Sequence, residues 1–203
     1  MEVSNVHKGF YYMGIFRVPN LLTILRISLI PIFILAFYWQ NEWRSLIVIT
    51  IFLLAALTDW LDGYLARRLK QASSVGAFLD PVADKLIVVV ALVLLVEIYR
   101  TPVISIPTAL IVCREISVSA LREWMAELGK RAEIAVSYIG KFKTAFQMIA
   151  IIILLLQPSW LGGNIILIGY IFLYLSMILA IWSMYQYLEI AWCEIQKEKG
   201  LDR

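Results

Sequence analysis

Cysteine and histidine are almost missing from this chain. The two cysteines, Cys113 and Cys193, lie far apart in sequence and both fall in apolar stretches. They suggest neither a disulfide framework nor a thiolate metal site, which needs closely spaced pairs. They are expected to act as small hydrophobes. The single histidine, His7, sits in the polar N-terminal stretch. One histidine and no paired cysteines exclude the usual zinc ligand sets. Charge is also scarce, at 16% of residues with a net +3. That gives no support for nucleic-acid binding, which requires a clustered basic face. Residues 1–16 lack the ordered basic region, short apolar core and small-residue cleavage site of a secretory signal. Internal repeats, low-complexity tracts and an appended soluble domain are not seen either.

What is abundant is apolar surface. Hydrophobic residues make up 62% of the chain and mean hydropathy is +0.82. A soluble domain holds about 45–50% apolar residues. The excess is too large for one core and too evenly spread for one anchor. It divides into six apolar segments, at about residues 21–39, 46–65, 78–99, 103–121, 134–156 and 161–192. Each reaches or approaches the ~20 residues that a membrane span needs. Within hydrocarbon these segments must be helical, because unpaired backbone groups are too costly there. The sixth is long enough to extend beyond the hydrocarbon. The predicted fold is therefore all-α and integral to the membrane, with six transmembrane helices in one domain over residues 1–203. Residues 1–16, aromatic at Phe10, Tyr11, Tyr12 and Phe16, suit a short interfacial helix. Residues 194–203 read as a short charged cytoplasmic tail.

Basic residues set the orientation. With a cytoplasmic N-terminus, thirteen of the 18 Lys and Arg fall on the inner side. Only Arg44 and Arg100 fall outside, and Arg26, Lys85 and Arg114 lie within spans. Both termini are therefore expected in the cytoplasm. Trp39, Trp43 and Trp160 then mark the outer interface, and Trp124 and Trp192 the inner one.

Four aspartates interrupt this pattern. Asp59 and Asp62 end the second segment, and Asp80 and Asp84 begin the third. An ionisable group at membrane depth costs roughly 2.5–3.5 kcal/mol on insertion scales. Four carboxylates held together also repel one another, so cations are needed to neutralise them. Asp59, Asp62, Gly63 and Ala66 are spaced i, i+3, i+4 and i+7, one face of a helix. Gly76, Asp80 and Asp84, at i, i+4 and i+8, form another. A loop of about ten residues makes the two spans antiparallel neighbours, so these faces can meet as one oxygen-rich cage. Oxygen-only ligands suit Mg²⁺, Mn²⁺ or Ca²⁺ rather than zinc. The small residues Gly63, Ala66 and Gly76 fit either close helix packing or room for a flat ligand. Arg67 fits either a structural counter-ion or a phosphate ligand. Lys85 can lower the pKa of Asp84, contact a phosphate or snorkel.

The stretch 59–84 reads D-W-L-D-G-Y-L-A-R, eight further residues, then G-A-F-L-D-P-V-A-D. It resembles the complete signature of the CDP-alcohol phosphatidyltransferase family, D-x2-D-G-x2-A-R-x8-G-x3-D-x3-D. All eight fixed positions match: Asp59, Asp62, Gly63, Ala66, Arg67, Gly76, Asp80 and Asp84. The flanking residues Pro19 to Thr23 with Arg26, Arg114-Glu115, Leu121-Arg122-Glu123 and Gly140-Lys141 with Lys143, Thr144 and Gln147 resemble the phosphatidylglycerophosphate synthase branch.

The resemblance implies transfer of a phosphatidyl group from CDP-diacylglycerol to sn-glycerol 3-phosphate, with release of CMP. It implies Mg²⁺ or Mn²⁺, one or two ions, held by Asp59, Asp62, Asp80 and Asp84. Asp84 is implied as the catalytic base for the acceptor hydroxyl. Asn20, Thr23, Asp62, Gly63, Ala66, Arg67 and Gly76 are implied at the CDP-lipid. Contact with membrane lipids, a homodimer, and a bacterial plasma membrane with the site facing the cytoplasm are implied as well.

The basic residues Arg114, Arg122, Lys141 and Lys143 gather near the inner ends of the fourth and fifth segments. Arg and Lys together recognise phosphate, so an acceptor that is itself phosphorylated fits this cluster. Inositol phosphate remains an alternative and serine fits less well. Arg114, deep in an apolar run, calls for pairing with Glu115, with Glu123 or with an anionic ligand. The rival from another class is a divalent-cation transporter, since intramembrane acids mark ion paths. Against it, the acids cluster at one membrane face and no acidic chain continues outward.

Overall fold

Long apolar stretches with few Gly or Pro leave the backbone one economical way to satisfy its own hydrogen bonds, the α-helix. In the computed structural model, which describes residues 18–69, 74–127, 138–156 and 163–201, six helices follow one another. They are α1 (Val18–Tyr38), α2 (Arg44–Leu69), α3 (Ser74–Tyr99), α4 (Pro102–Glu127), α5 (Tyr138–Leu156) and α6 (Gly163–Leu201). Each matches one of the six apolar segments. Residues 1–16, read as interfacial, lie outside the described residues.

Local chemistry explains the breaks between α1 and α2 and between α3 and α4. The Asn41 side chain accepts from the Trp43 amide at 3.0 Å, and the Asn41 carbonyl accepts from Arg44 N at 3.1 Å. These bonds close the turn that starts α2. Arg100 takes φ 47°, a left-handed residue that stops α3. Thr101 follows, its carbonyl accepting from Ile104 N and Ser105 N, with Pro102 at the first helical position.

The helices run further than the hydropathy segments. Between α2 and α3 only residues 70–73 separate the helical ends, not about ten. The C-terminal stretch read as a tail is helical through Leu201. With 39 residues, α6 spans about 58 Å, nearly twice a ~30 Å hydrocarbon layer. Among the described residues, two helical stretches, Pro102–Glu127 and Asn164–Cys193, are long and apolar enough to cross a membrane. Shorter apolar helical stretches run Leu22–Tyr38, Arg44–Thr58 and Phe142–Leu156.

The chain divides into two compact units, Met1–Leu94 and Leu95–Arg203. In the first, α1 packs along α2. Phe33, Phe37, Val48, Phe52 and Ala55 are buried, with the Phe33 and Phe52 rings 6.2 Å apart. Thr23 and Arg26 on α1 are fully buried. In the second unit, α6 packs against both α4 and α5. Gly169 allows the close approach of α6 to α5: a Cβ there would lie 2.8 Å from Leu154 Cδ2. The Tyr99 hydroxyl donates to the Leu154 carbonyl at 3.0 Å.

The exterior is apolar and several polar side chains are buried beside the apolar core. Leu35, Ile116, Phe142, Trp182 and Trp192 are exposed, while Arg26, Arg114, Lys143 and Gln147 are buried. Apolar side chains outward and polar ones inward is the arrangement that a lipid solvent favours. Cys113 and Cys193 are free thiols at exposed positions on this apolar exterior.

Candidate functional site

Two groups of residues carry chemistry. The first is the aspartate signature. Asp59, Asp62, Gly63, Ala66 and Arg67 lie on the second half of α2, and Gly76, Asp80 and Asp84 on the first half of α3. The backbone is helical through all eight positions, so the spacings place each set on one helix face. The four residues between Leu69 and Ser74 let the helix ends stand at most about 18 Å apart. The side chains of the eight signature residues, and those of Asn20 and Lys141, are outside the described residues. Among the described residues, no group of three or more His, Cys, Asp or Glu comes together. Thr23, on α1, is buried one turn before Arg26.

The second group is described atom by atom. Arg114 sits halfway along α4, in an apolar stretch of the helix, and is only 6% exposed. Its Nη2 donates to Ser183 Oγ at 2.7 Å, and its Nη1 to Glu115 Oε1 at 3.2 Å. The same Glu115 oxygen accepts from Lys143 Nζ on α5. Lys143 is 1% exposed. Two turns along α4, the Arg122 guanidinium lies 4.8 Å from the Tyr187 ring centroid. Its Nη2 donates to the Tyr187 hydroxyl. The Arg114 guanidinium is 5.9 Å from that same ring.

Burying Arg114 and Lys143 costs several kcal/mol each unless it is compensated, whereas Arg122 is exposed. Glu115 compensates one charge, and the faces of Tyr187 attract the two guanidinium groups through the ring quadrupole. Among the described residues the cluster brings together three cations and one carboxylate. It is also short of acceptors. Arg114 Nε and Gln147 Nε2 are buried with no acceptor among the described residues, and Gln147 lies one turn beyond Lys143 on α5. A phosphate group, anionic and purely accepting at its charged oxygens, supplies what the cluster lacks.

The structure thus brings Arg114, Arg122 and Lys143 together from α4 and α5. It selects Glu115, not Glu123, as the acid that pairs with Arg114. Sequence reasoning missed Ser183 and Tyr187. They stand one turn apart on α6, and a Ser-x3-Tyr pair inside an apolar helix carries no signal of its own.

A family model described as CDP-alcohol phosphatidyltransferase matches residues 16–182. Curated relatives match almost end to end. One from Pectobacterium atrosepticum is 53% identical over 176 residues, covering 87% of this chain and 95% of the relative. One from Yersinia pestis is 49% identical over 179 residues, covering 88% and 97%. One from Sodalis glossinidius is 51% identical over 175 residues, covering 86% and 94%. All three are named CDP-diacylglycerol--glycerol-3-phosphate 3-phosphatidyltransferase.

Proposed function

This chain belongs to the CDP-alcohol phosphatidyltransferase family, and from that membership we propose that it transfers the phosphatidyl group of CDP-diacylglycerol to sn-glycerol 3-phosphate. The products are phosphatidylglycerophosphate and CMP. One observation carries this reading: the signature from Asp59 to Asp84 is unbroken in a chain that matches relatives of that name along nearly their whole length.

The donor set fits a hard divalent cation. The signature offers four carboxylates and no sulfur or imidazole, which suits Mg²⁺ or Mn²⁺. Asp59, Asp62, Asp80 and Asp84 would hold one or two such ions. When bound, they neutralise the diphosphate and stabilise the departing CMP.

The chain's own residues do the rest. Asn20, Thr23, Gly63, Ala66, Arg67 and Gly76 line the CDP-lipid site and hold the diphosphate for attack. The Asp84 carboxylate accepts the proton of the acceptor hydroxyl as its oxygen bonds to the lipid-linked phosphorus. The bond from that phosphorus to the CMP oxygen breaks, and CMP leaves. Arg114, Arg122, Lys141 and Lys143 hold the acceptor's own phosphate, so its hydroxyl is presented rather than diffusing. Positioning and electrostatics supply most of the rate in such transfers. The cation-rich, acceptor-poor cluster on α4, α5 and α6 favours a phosphorylated acceptor over serine.

The setting follows the same reading. Residues 1–203 form one membrane domain of six spans, with 1–16 on the inner interface and both termini cytoplasmic. The excess of basic residues on that side supports this orientation. The organisms of the relatives support a bacterial plasma membrane. The active form is a homodimer in contact with membrane lipids.

The test is CMP release by purified protein in mixed micelles with CDP-diacylglycerol and Mg²⁺, across glycerol phosphate, serine and inositol phosphate. Release with glycerol phosphate alone, abolished by chelation and accompanied by label from glycerol phosphate in the lipid fraction, is expected. Turnover with another acceptor instead overturns the acceptor assignment. Divalent-ion flux into vesicles with no CMP release under any condition overturns the enzyme.

A further inference from the structure

The cation cluster depends on a part of the chain that the family model does not reach. The match ends at residue 182, and both α6 side chains in the cluster, Ser183 and Tyr187, lie beyond it. They are buried, at 1% and 6% exposure. Ser183 Oγ accepts from Arg114 at 2.7 Å while donating to the Ala180 carbonyl at 2.9 Å, which fixes its lone pairs toward α4. Tyr187 holds two like charges at once. Both guanidinium carbons lie within 5.9 Å of its ring centroid, and its hydroxyl accepts from Arg122.

Two arginines so placed repel each other, and Glu115 pairs with only the first. In the absence of an anion, an exposed arginine such as Arg122 would swing toward solvent. Tyr187 prevents this by two separate means, the face of its ring and its oxygen. A ligand phosphate then meets guanidinium groups already ordered, and binding loses less side-chain entropy.

We propose that Tyr187 is the residue that positions Arg122 and Arg114 for the acceptor phosphate, so that acceptor selectivity in this chain is set in part by α6 beyond the stretch that the family model matches. Tyr187 acts through the arginines and is a positioning residue, not a catalytic one. The inference rests on the assignment of the cluster to the acceptor, and its test separates the two.

Four proteins are compared: wild type, Tyr187→Phe, Arg122→Ala and the double variant. KM for glycerol phosphate, KM for CDP-diacylglycerol, kcat and the thermal midpoint are measured for each. Tyr187→Phe keeps the ring and loses one hydrogen bond to a charged group. It is expected to raise the acceptor KM about tenfold. The CDP-lipid KM, kcat within about twofold and the thermal midpoint should stay near wild type. Arg122→Ala should raise the acceptor KM by more, and Tyr187→Phe added to it should then cost nothing further.

An unchanged acceptor KM in Arg122→Ala removes the cluster from the acceptor site, and this inference falls with that assignment. A raised KM in Arg122→Ala with wild-type behaviour in Tyr187→Phe overturns the positioning role alone. So do equal rises in both KM values, or losses that add in the double variant, because a merely structural residue would produce them.

Discussion

Neutralising Glu115 should destabilise the second unit through the cations it leaves behind. Its carboxylate is the one acid that meets both Lys143 and Arg114 among the described residues, and their side chains are 2% and 7% exposed. Breaking a buried ion pair by removing one partner costs about 3–5 kcal/mol, because the remaining charge is uncompensated. Glu115 is itself 18% exposed, and Gln in its place keeps a carbonyl acceptor. Glu115→Gln is therefore expected near the low end, about 3 kcal/mol. Lys143→Met, which retains the apolar stem, should cost a similar amount by stranding part of the carboxylate charge. In the double variant one cation and its anion leave together. Its cost should be about 4 kcal/mol rather than 6, a coupling of about 2 kcal/mol. Reversible unfolding in detergent, followed by helical circular dichroism, measures all three variants. Costs that add to within about 0.5 kcal/mol would refute the bridge.

Three further outcomes are expected. Asp84→Asn should abolish turnover while binding of Mn²⁺ and CDP-diacylglycerol, held by the remaining three aspartates, survives in equilibrium binding; loss of both would make Asp84 an indispensable ion ligand rather than the base. Gly169→Val should destabilise by about 2 kcal/mol or more, since its side chain meets Leu154 and Ile153 and forces α5 from α6; an unchanged unfolding midpoint would contradict that packing. Lys141→Ala should raise the KM for glycerol phosphate more than that for the CDP-lipid in steady-state assays, and equal effects would count against its place in the acceptor site.

The parts of the fold that could be read from sequence were those fixed by local chemistry. Asn41 and Thr101-Pro102 mark breaks because an Asx turn and a proline at the first helical position act within a few residues. Helix length was not legible by hydropathy. Residues after Cys193 are charged yet include good helix formers such as Glu, Gln and Lys, so α6 continues through them to Leu201. Ala66, Arg67, Arg68 and Leu69 likewise carry α2 past its apolar segment, and with α3 starting at Ser74 the helix ends are separated by residues 70–73 alone.

The site divides along the same line. The aspartate signature is a spacing pattern, and spacing is what a helix preserves. That Arg114 needed a partner was legible from its apolar surroundings, but the partner was not. Adjacent residues on a helix do not normally face each other, which makes Glu115 an unobvious choice over Glu123. Lys143, arriving from α5, meets the Glu115 carboxylate that also reaches Arg114. Ser183 and Tyr187 come from α6, 69 and 65 positions away from the arginines they meet. Only tertiary packing reveals such contacts.

The proposed chemistry requires α2 and α3 to present their aspartates to a shared divalent ion. Anomalous scattering from crystals grown with Mn²⁺ and CDP-diacylglycerol tests it most directly. A manganese peak is expected with carboxylate oxygens of both Asp59 or Asp62 and Asp80 or Asp84 at about 2.1–2.2 Å. A peak ligated by one helix alone, or none among these four residues at saturating Mn²⁺, would contradict it.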